Sequence, residues 1–251
     1  TKKSFITIFV VLLLSSFIGL QKASACHFAA ADISITYTGP GIDGCSGTAI
    51  YQYDVELIIY YACLTCQGFG GTTATVQYAS ASAAADGLPN PTGNIVVTDP
   101  QTAIDTVHQL CAQYNDSNSC KTNLATASRF PAFKIRRHVG QVILPYARSD
   151  WRFWWSGSAR SNSNIDLANP TCYNLYVEAG LDNITKYNNS TVKFLSNPLP
   201  YICVNQPTTY LNGRYDANGD SVNVEVQPPH NGFHQPCNYL APSTLANPIA
   251  S

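Results

Sequence analysis

Hydrophobic and polar positions alternate along much of this chain with a period of two. That is the spacing of a strand with one face buried and the other wet. In "IYQYDVELIIYY" Tyr51, Tyr53, Val55 and Leu57 fall on one side, and Gln52, Asp54 and Glu56 on the other. Ile33, Ile35 and Tyr37 alternate in "DISITYTGPG", which ends on a Pro-Gly turn signal. The same reading predicts strands in "TTATVQYAS", "NIVVT", "HVGQVILPY", "DWRFWWS", "CYNLYVEAGL", "STVKFLS" and "PYICVNQ". Turn chemistry separates them at Asp86-Gly87, Pro91-Thr92-Gly93, Asn212-Gly213 and Asn218-Gly219. Helical spacing occurs in "PQTAIDTVHQLCAQY", where Ile104, Val107, His108 and Cys111 share a face. Many short strands with few helices predict an all-β, antiparallel sandwich of the Ig-like or cadherin-like kind.

The alternation is missing at the N-terminus. "TKK" is followed by an uncharged stretch from Phe5 to Leu20 and then by Ala23-Ser24-Ala25. This is the layout of an export signal peptide, a signal helix over 1–25. The apolar stretch is shorter than the roughly 20 residues a bilayer span needs. Cys26 follows the cleavage motif and is a lipidation candidate, although Ala23 stands where the lipidating enzyme prefers Leu. Acylated and unacylated readings both stay open. Membrane contact is therefore expected only through the signal peptide or a lipid anchor. Near the other end, Pro198, Pro200 and Pro207 interrupt the pattern. They predict one β-sandwich domain over 26–197 and the start of a second Ig/cadherin-like domain over 198–251. That second piece is shorter than the roughly 100 residues of an Ig-type sandwich, so it is expected to be truncated.

Charge narrows the function classes. Without Lys2, Lys3 and Lys22 the chain keeps 11 basic against 15 acidic side chains, a net of −4. Nucleic acid needs a basic face and is excluded as a partner. Charged residues make up 12%, about half the usual share, which suits an exported β-protein with a polar but weakly charged surface. Nine cysteines in an exported chain predict disulfides. Cys111 and Cys120 bracket a short polar loop, and closing it is worth roughly 2.5–3 kcal/mol in the chain-entropy model. Cys63 and Cys66 in "CLTC" follow a strand and precede a Gly-rich loop. A redox motif needs a helix N-terminus there, so a structural disulfide is expected instead.

Three stretches carry candidate chemistry. "YDANGDSVNVEV" sets Asp216, Asn218 and Asp220 around an Asn-Gly pair. Counted as an EF-hand, the loop has Ser221 where Gly is required and Gln227 where Glu is required. Two readings stay open: a calcium site of another kind, or a hairpin turn leading into a strand with Val222, Val224 and Val226 alternating. In "WRFWW" alternation sends Trp151, Phe153 and Trp155 to the core and Arg152 and Trp154 outward. Trp154 then either offers a flat stacking face to a sugar or partner protein, or is covered by Arg152. "HNGFHQPC" sets His230, His234 and Cys237 at H-x3-H-x2-C, a spacing open to zinc or copper, but in a Pro-rich stretch with no helix to align them. No G-x-S-x-G, H-E-x-x-H or P-loop motif occurs, so no enzymatic activity is expected.

Four stretches resemble the N-terminal region of large secreted surface proteins of Bacteroidota. Proteins of that family often end in a gliding motility-associated C-terminal domain, the sorting signal of type IX secretion. The stretches are "VILPYARSDWRFWWSGSARSN", "LYVEAGLDN", "NPLPYICVNQP" and "DANGDSV". A looser likeness lies in "IYYACLTCQG". Ser158 and Ala159 stand where the family carries a Cys-Cys pair, so Cys203 is expected, on this resemblance, to pair with Cys172 or Cys237. The resemblance implies an exported cell-surface or extracellular protein with a structural or adhesive role. Its partners would be other surface proteins or glycans, with calcium as the candidate cofactor. A lectin-like carbohydrate-binding module using Trp154 is the second expectation, and a secreted hydrolase the third.

Overall fold

The structure is a computed structural model. It describes residues 27–42, 49–63, 71–101, 105–107, 112–121, 130–161, 166–198, 209, 212–241, 243–244 and 246. The expected signal peptide, Cys26, Cys66, Cys111, Cys203 and the "PYICVNQ" strand lie outside these residues.

Strands β1 (Phe28–Ile42), β2 (Ala49–Ala62) and β3 (Thr73–Ser80) come first. A five-residue helix, α1 (Ala81–Ala85), leads to β4 (Thr92–Thr98) and the short β5 (Asp105–Val107). Then follow β6 (Phe133–Leu144), β7 (Trp151–Gly157) and β8 (Leu175–Leu181). The two-residue strands β9 (Lys193–Phe194) and β10 (Arg214–Tyr215) pair with each other. A small hairpin joins β11 (His230–Gly232) to β12 (Gln235–Pro236).

The all-β, antiparallel expectation holds. The first eight strands belong to one hydrogen-bonded sheet in the order β1-β2-β6-β4-β3-β7-β8, with β5 on β6. The sheet is rolled in a barrel-like way, instead of being split into two separately bonded layers. Its turning point is the junction of β4 with β6, which rests on one pair, Thr98 with Val139. Next to it, a Cβ on Gly140 would meet Val97 Cγ1 at 2.9 Å and the Val96 carbonyl oxygen at 3.0 Å. Only glycine allows the two strands to approach this closely.

Alternation explains what fills the roll. Ile33, Ile35, Tyr53, Val55, Leu57, Val76, Val97, Leu144, Trp151 and Phe153 are buried in one continuous core. The free edge of β1 is closed by chain segments that are not strands. Thr191 N donates to Ile35 O at 2.8 Å, Ile35 N to Thr191 Oγ1 at 2.8 Å, and Tyr37 N to Ser190 Oγ at 3.1 Å. At the other end of β1, Phe28 N donates to Ala159 O and Ser161 N to Phe28 O. An edge protected in this way has few backbone groups left to template aggregation.

Several expectations need correction. Cys63 is bonded to Cys120, so neither the Cys63–Cys66 nor the Cys111–Cys120 pairing forms. Closure entropy favours near neighbours in sequence. Tertiary contacts decide otherwise, because Cys63 N bonds Ala132 O while Ala132 N bonds Ser119 Oγ, and this sets residues 119–120 beside the end of β2. Cys172 and Cys237 carry free thiols, one exposed and one buried, so neither pairs with Cys203. The stretch expected to be a helix contains β5 and a 3-10 turn over Ala112–Ser117. Thr106 is β-branched, and this segment pairs with the edge of β6. The Pro-Gly signal at 40–41 lies inside β1, which continues to Ile42 after an irregularity at Tyr37–Gly39. Val222, Val224 and Val226 are in no strand. Val224 and Val226 are exposed, and among the described residues no strand pairs with them. Contacts also cross the boundary expected at 197/198: β9 pairs β10, Leu167 bridges Tyr239, and Arg160 Nη2 bonds His230 O at 2.6 Å.

Two outcomes follow. Non-reducing peptide mapping should yield a Cys63–Cys120 linked peptide, and a Cys111–Cys120 peptide would contradict the fold. The bridge closes a span of 57 residues, so replacing both cysteines by serine should cost about 4 kcal/mol or less of unfolding free energy. Burial pushes the Tyr53 phenol up to about 12. Above the ordinary tyrosine range the unfolded chain ionises first, so stability is full below about pH 10 and falls as pH rises towards 12. Chemical denaturation across that window should show a shallower decline in Tyr53→Phe.

Candidate functional site

The alternation of β7 decides what the outside of the roll presents. Trp151, Phe153 and Trp155 are buried, as expected from sequence. Arg152 and Trp154 therefore point outward, each half-buried. The start of β7 is fixed by the preceding residue. Asp150 accepts from Ser80 Oγ and Ser82 Oγ at 2.7 Å each and from Ser82 N at 2.7 Å, tying β7 to the N-terminus of α1. Burial alone would raise its carboxyl, but these hydrogen bonds from Ser80 and Ser82 bring it below the ordinary range.

Register sets the outward residues of neighbouring strands in rows. Asn94 of β4 opposes Gln77 of β3, Gln77 opposes Trp154 of β7, and Trp154 opposes Glu178 of β8. The four side chains form one line across four strands. With strands about 4.8 Å apart, the line is about 14 Å long. Gln77, Asn94 and Glu178 are exposed. The amides of Gln77 and Asn94 make no hydrogen bond among the described residues. Glu178 accepts a 2.5 Å bond from Tyr176 Oη and lies 3.9 Å from Arg152 Nη1. Burial, and then this bond to Glu178, pushes the Tyr176 phenol well up.

One flank of the row is raised. The Arg152 guanidinium lies over the Trp154 ring at 4.7 Å and over the Phe233 ring at 3.7 Å. Phe233 and His234 form the turn of the β11–β12 hairpin, and their rings are 3.9 Å apart. His234 adopts left-handed backbone, φ 54°, a conformation uncommon for a non-glycine residue. The hairpin is held on β8 by Asn174 N, which donates to Asn231 Oδ1 at 2.6 Å. On the other flank the next outward residue of β7 is Ser156, exposed and too short to cover an indole. Arg152 therefore covers one face of Trp154, the second of the two readings the sequence left open, and among the described residues no other ring or cation is stacked on the indole.

The other candidates are placed differently. Asp216 Oδ1 accepts from Asn218 N at 2.8 Å and from Asp220 N at 3.1 Å. Asn218 Oδ1 accepts from Ser190 N at 2.8 Å, its Nδ2 donates to Asn188 O at 2.8 Å, and Asp220 is paired with Lys186. These oxygens already serve an Asx-type turn and its docking onto the 186–190 loop. His230, His234 and Cys237 do not gather: His234 sits at the hairpin tip, and Cys237 is buried beside Arg160. Among the described residues no group of three or more His, Cys, Asp or Glu side chains is arranged to hold a metal.

An acidic groove lies on the outside of β2 and β6, with a volume of about 490 Å³, lined by Asp54, Glu56, Gln141 and Lys193. Its carboxylates are engaged. Asp54 Oδ1 accepts from Gln141 Nε2 at 2.9 Å, and Glu56 lies between Lys193 Nζ at 3.2 Å and Arg137 Nη1 at 3.7 Å. Nearby, burial pushes the Asp32 carboxyl up, although backbone amides of Ile33 and Phe194 oppose the shift.

Sequence reasoning found Trp154 and missed Gln77, Asn94, Glu178 and Phe233. Alternation in "TTATVQYAS" already sets Gln77 outward, but nothing local says which residue faces it across a strand pair. With Trp151 and Trp155 buried, acrylamide quenching should report mainly Trp154. Trp154→Phe should remove most of the quenchable emission, and Arg152→Ala should raise quenching by uncovering the second face. Quenching unchanged in Trp154→Phe would contradict this assignment. No protein-family model, no characterised protein and no solved structure matches this chain.

Proposed function

We propose that this protein is an exported surface or extracellular binding protein, structural or adhesive in role, that acts without turnover. Its recognition face is the outer side of β3, β4, β7 and β8. The observation that carries the reading is Trp154, a half-buried indole braced on one face by a stacked guanidinium, beside the exposed amides of Gln77 and Asn94, which make no hydrogen bond among the described residues. Aromatic and arginine side chains held in this way are the usual anchors of recognition surfaces, because little freedom is lost on binding. The signal layout of residues 1–25, the weakly charged surface and the disulfide support an extracellular setting. The resemblance of the β7 stretch to Bacteroidota surface proteins supports the same setting.

Binding fits better than hydrolysis for a chemical reason. A glycosidase needs two carboxylates free to act on one bond, one as acid and one as base or nucleophile. Glu56 is engaged by two cations and Asp54 by Gln141, while Asp32 accepts backbone amides.

An array of oligosaccharides and purified extracellular proteins tests the reading. The wild-type protein should be retained on at least one class without releasing a product. Trp154→Ala should lose that retention with an unchanged melting temperature, while Asp54→Asn with Glu56→Gln should keep it. Product release that depends on Asp54 or Glu56 would overturn the proposal.

A further inference from the structure

The row formed by Asn94, Gln77, Trp154 and Glu178 restricts the ligand further. We infer that it binds a neutral glycan chain lying across the strands, stacked on the Trp154 indole on the side away from Arg152. This rests on the proposed recognition face and names the chemical class it takes.

Three features point to a sugar chain. The first is the kind of side chains present. A glycan ring has an apolar C–H face and a rim of hydroxyls, each both donor and acceptor. An indole between two primary amides and a carboxylate offers a stacking plane flanked by donors and acceptors. The desolvated core of a protein interface is more apolar than the surface around it. Here the large exposed apolar side chain on these strands is Val96, in the Thr75 row and not in the Gln77 row.

The second feature is unused capacity. Gln77 and Asn94 are exposed, lie on adjacent strands and make no hydrogen bond among the described residues. Amides that face each other across a strand pair without bonding are free to take hydroxyls in succession. The line of about 14 Å is longer than a single sugar ring, so its four contacts cannot be met by a monosaccharide.

The third feature is charge. Glu178 is the one charged group in the row, and the Arg152 guanidinium beside it at 3.9 Å offsets it. Arg152 is itself stacked against Trp154 and Phe233, so with Glu178 it leaves this part of the face without net charge. A uronic acid or sulfate on the row would meet the Glu178 carboxylate directly, while the positive charge beside it is already offset by that carboxylate, which disfavours acidic glycans.

Isothermal titration of the full chain with cellohexaose, maltohexaose and hexagalacturonate tests this. At least one neutral hexasaccharide should bind, with hexagalacturonate weaker than either. Trp154→Ala should weaken binding about tenfold or more, and Gln77→Ala or Asn94→Ala about fivefold each. Glucose should bind far more weakly than the hexasaccharide. Preference for hexagalacturonate, or hexasaccharide binding indifferent to Gln77, Asn94 and Trp154, would overturn the inference. If all three sugars are silent while Trp154-dependent retention on arrayed proteins persists, the inference fails and the recognition face survives. If no Trp154-dependent retention occurs at all, both fail. Circular dichroism and melting of each variant separate lost binding from lost fold.

Discussion

The outer face of this protein depends on the seating of three aromatic rings on its inner face. Trp151, Phe153 and Trp155 are buried side chains of one short strand. Moving β7 by one residue would bring them into water and bury Arg152 and Trp154 instead. Burying three rings favours the observed register by several kcal/mol, at roughly 1.5–3 kcal/mol for each large apolar side chain. Tyr78 adds to this by packing against Trp151 and Phe153, with ring centroids 5.9 Å away in both cases. The core therefore determines which side chains line up outside.

The rolled sheet brings that row together. β3 and β7 are distant in sequence, yet Gln77 and Trp154 are directly opposed. Asp150 fixes their relative position by capping α1, the helix that begins where β3 ends. The same economy appears at the free edge of β1. There the 190–191 and 159–161 segments close the roll, and the turn at Asp216–Asp220 packs onto the first of them. One oxygen each of Asp216, Asn218 and Asp220, the side chains that make the calcium candidate, is used in this turn and its docking.

Much of the architecture was legible in the sequence because strand periodicity is local. The two faces of β2 and β7 follow from the order of apolar residues alone. What was illegible depends on long-range pairing. Cys63 meets Cys120 because of hydrogen bonds through Ala132 and Ser119, which no spacing rule encodes. The 222–226 valines alternate well, but a strand needs a neighbour and among the described residues none is beside them. The segment around Asp105–Val107 has helical spacing, yet it pairs with β6 at that strand's edge. At the candidate site, Trp154 was visible as an outward indole. Its partners were hidden because cross-strand register is a property of the folded sheet.

We propose that the register of β7 creates a glycan-binding row on the outside of the roll. Titrating isotopically labelled protein with cellohexaose or maltohexaose, and following backbone and side-chain amide shifts by NMR, tests it most directly. The account predicts the largest changes at the Gln77 and Asn94 side-chain amides, the Trp154 indole N–H and the backbone around Glu178. Little change is expected around Asp54 and Glu56. Changes centred on the Asp54–Glu56 groove, with the Trp154 indole unmoved, would contradict it.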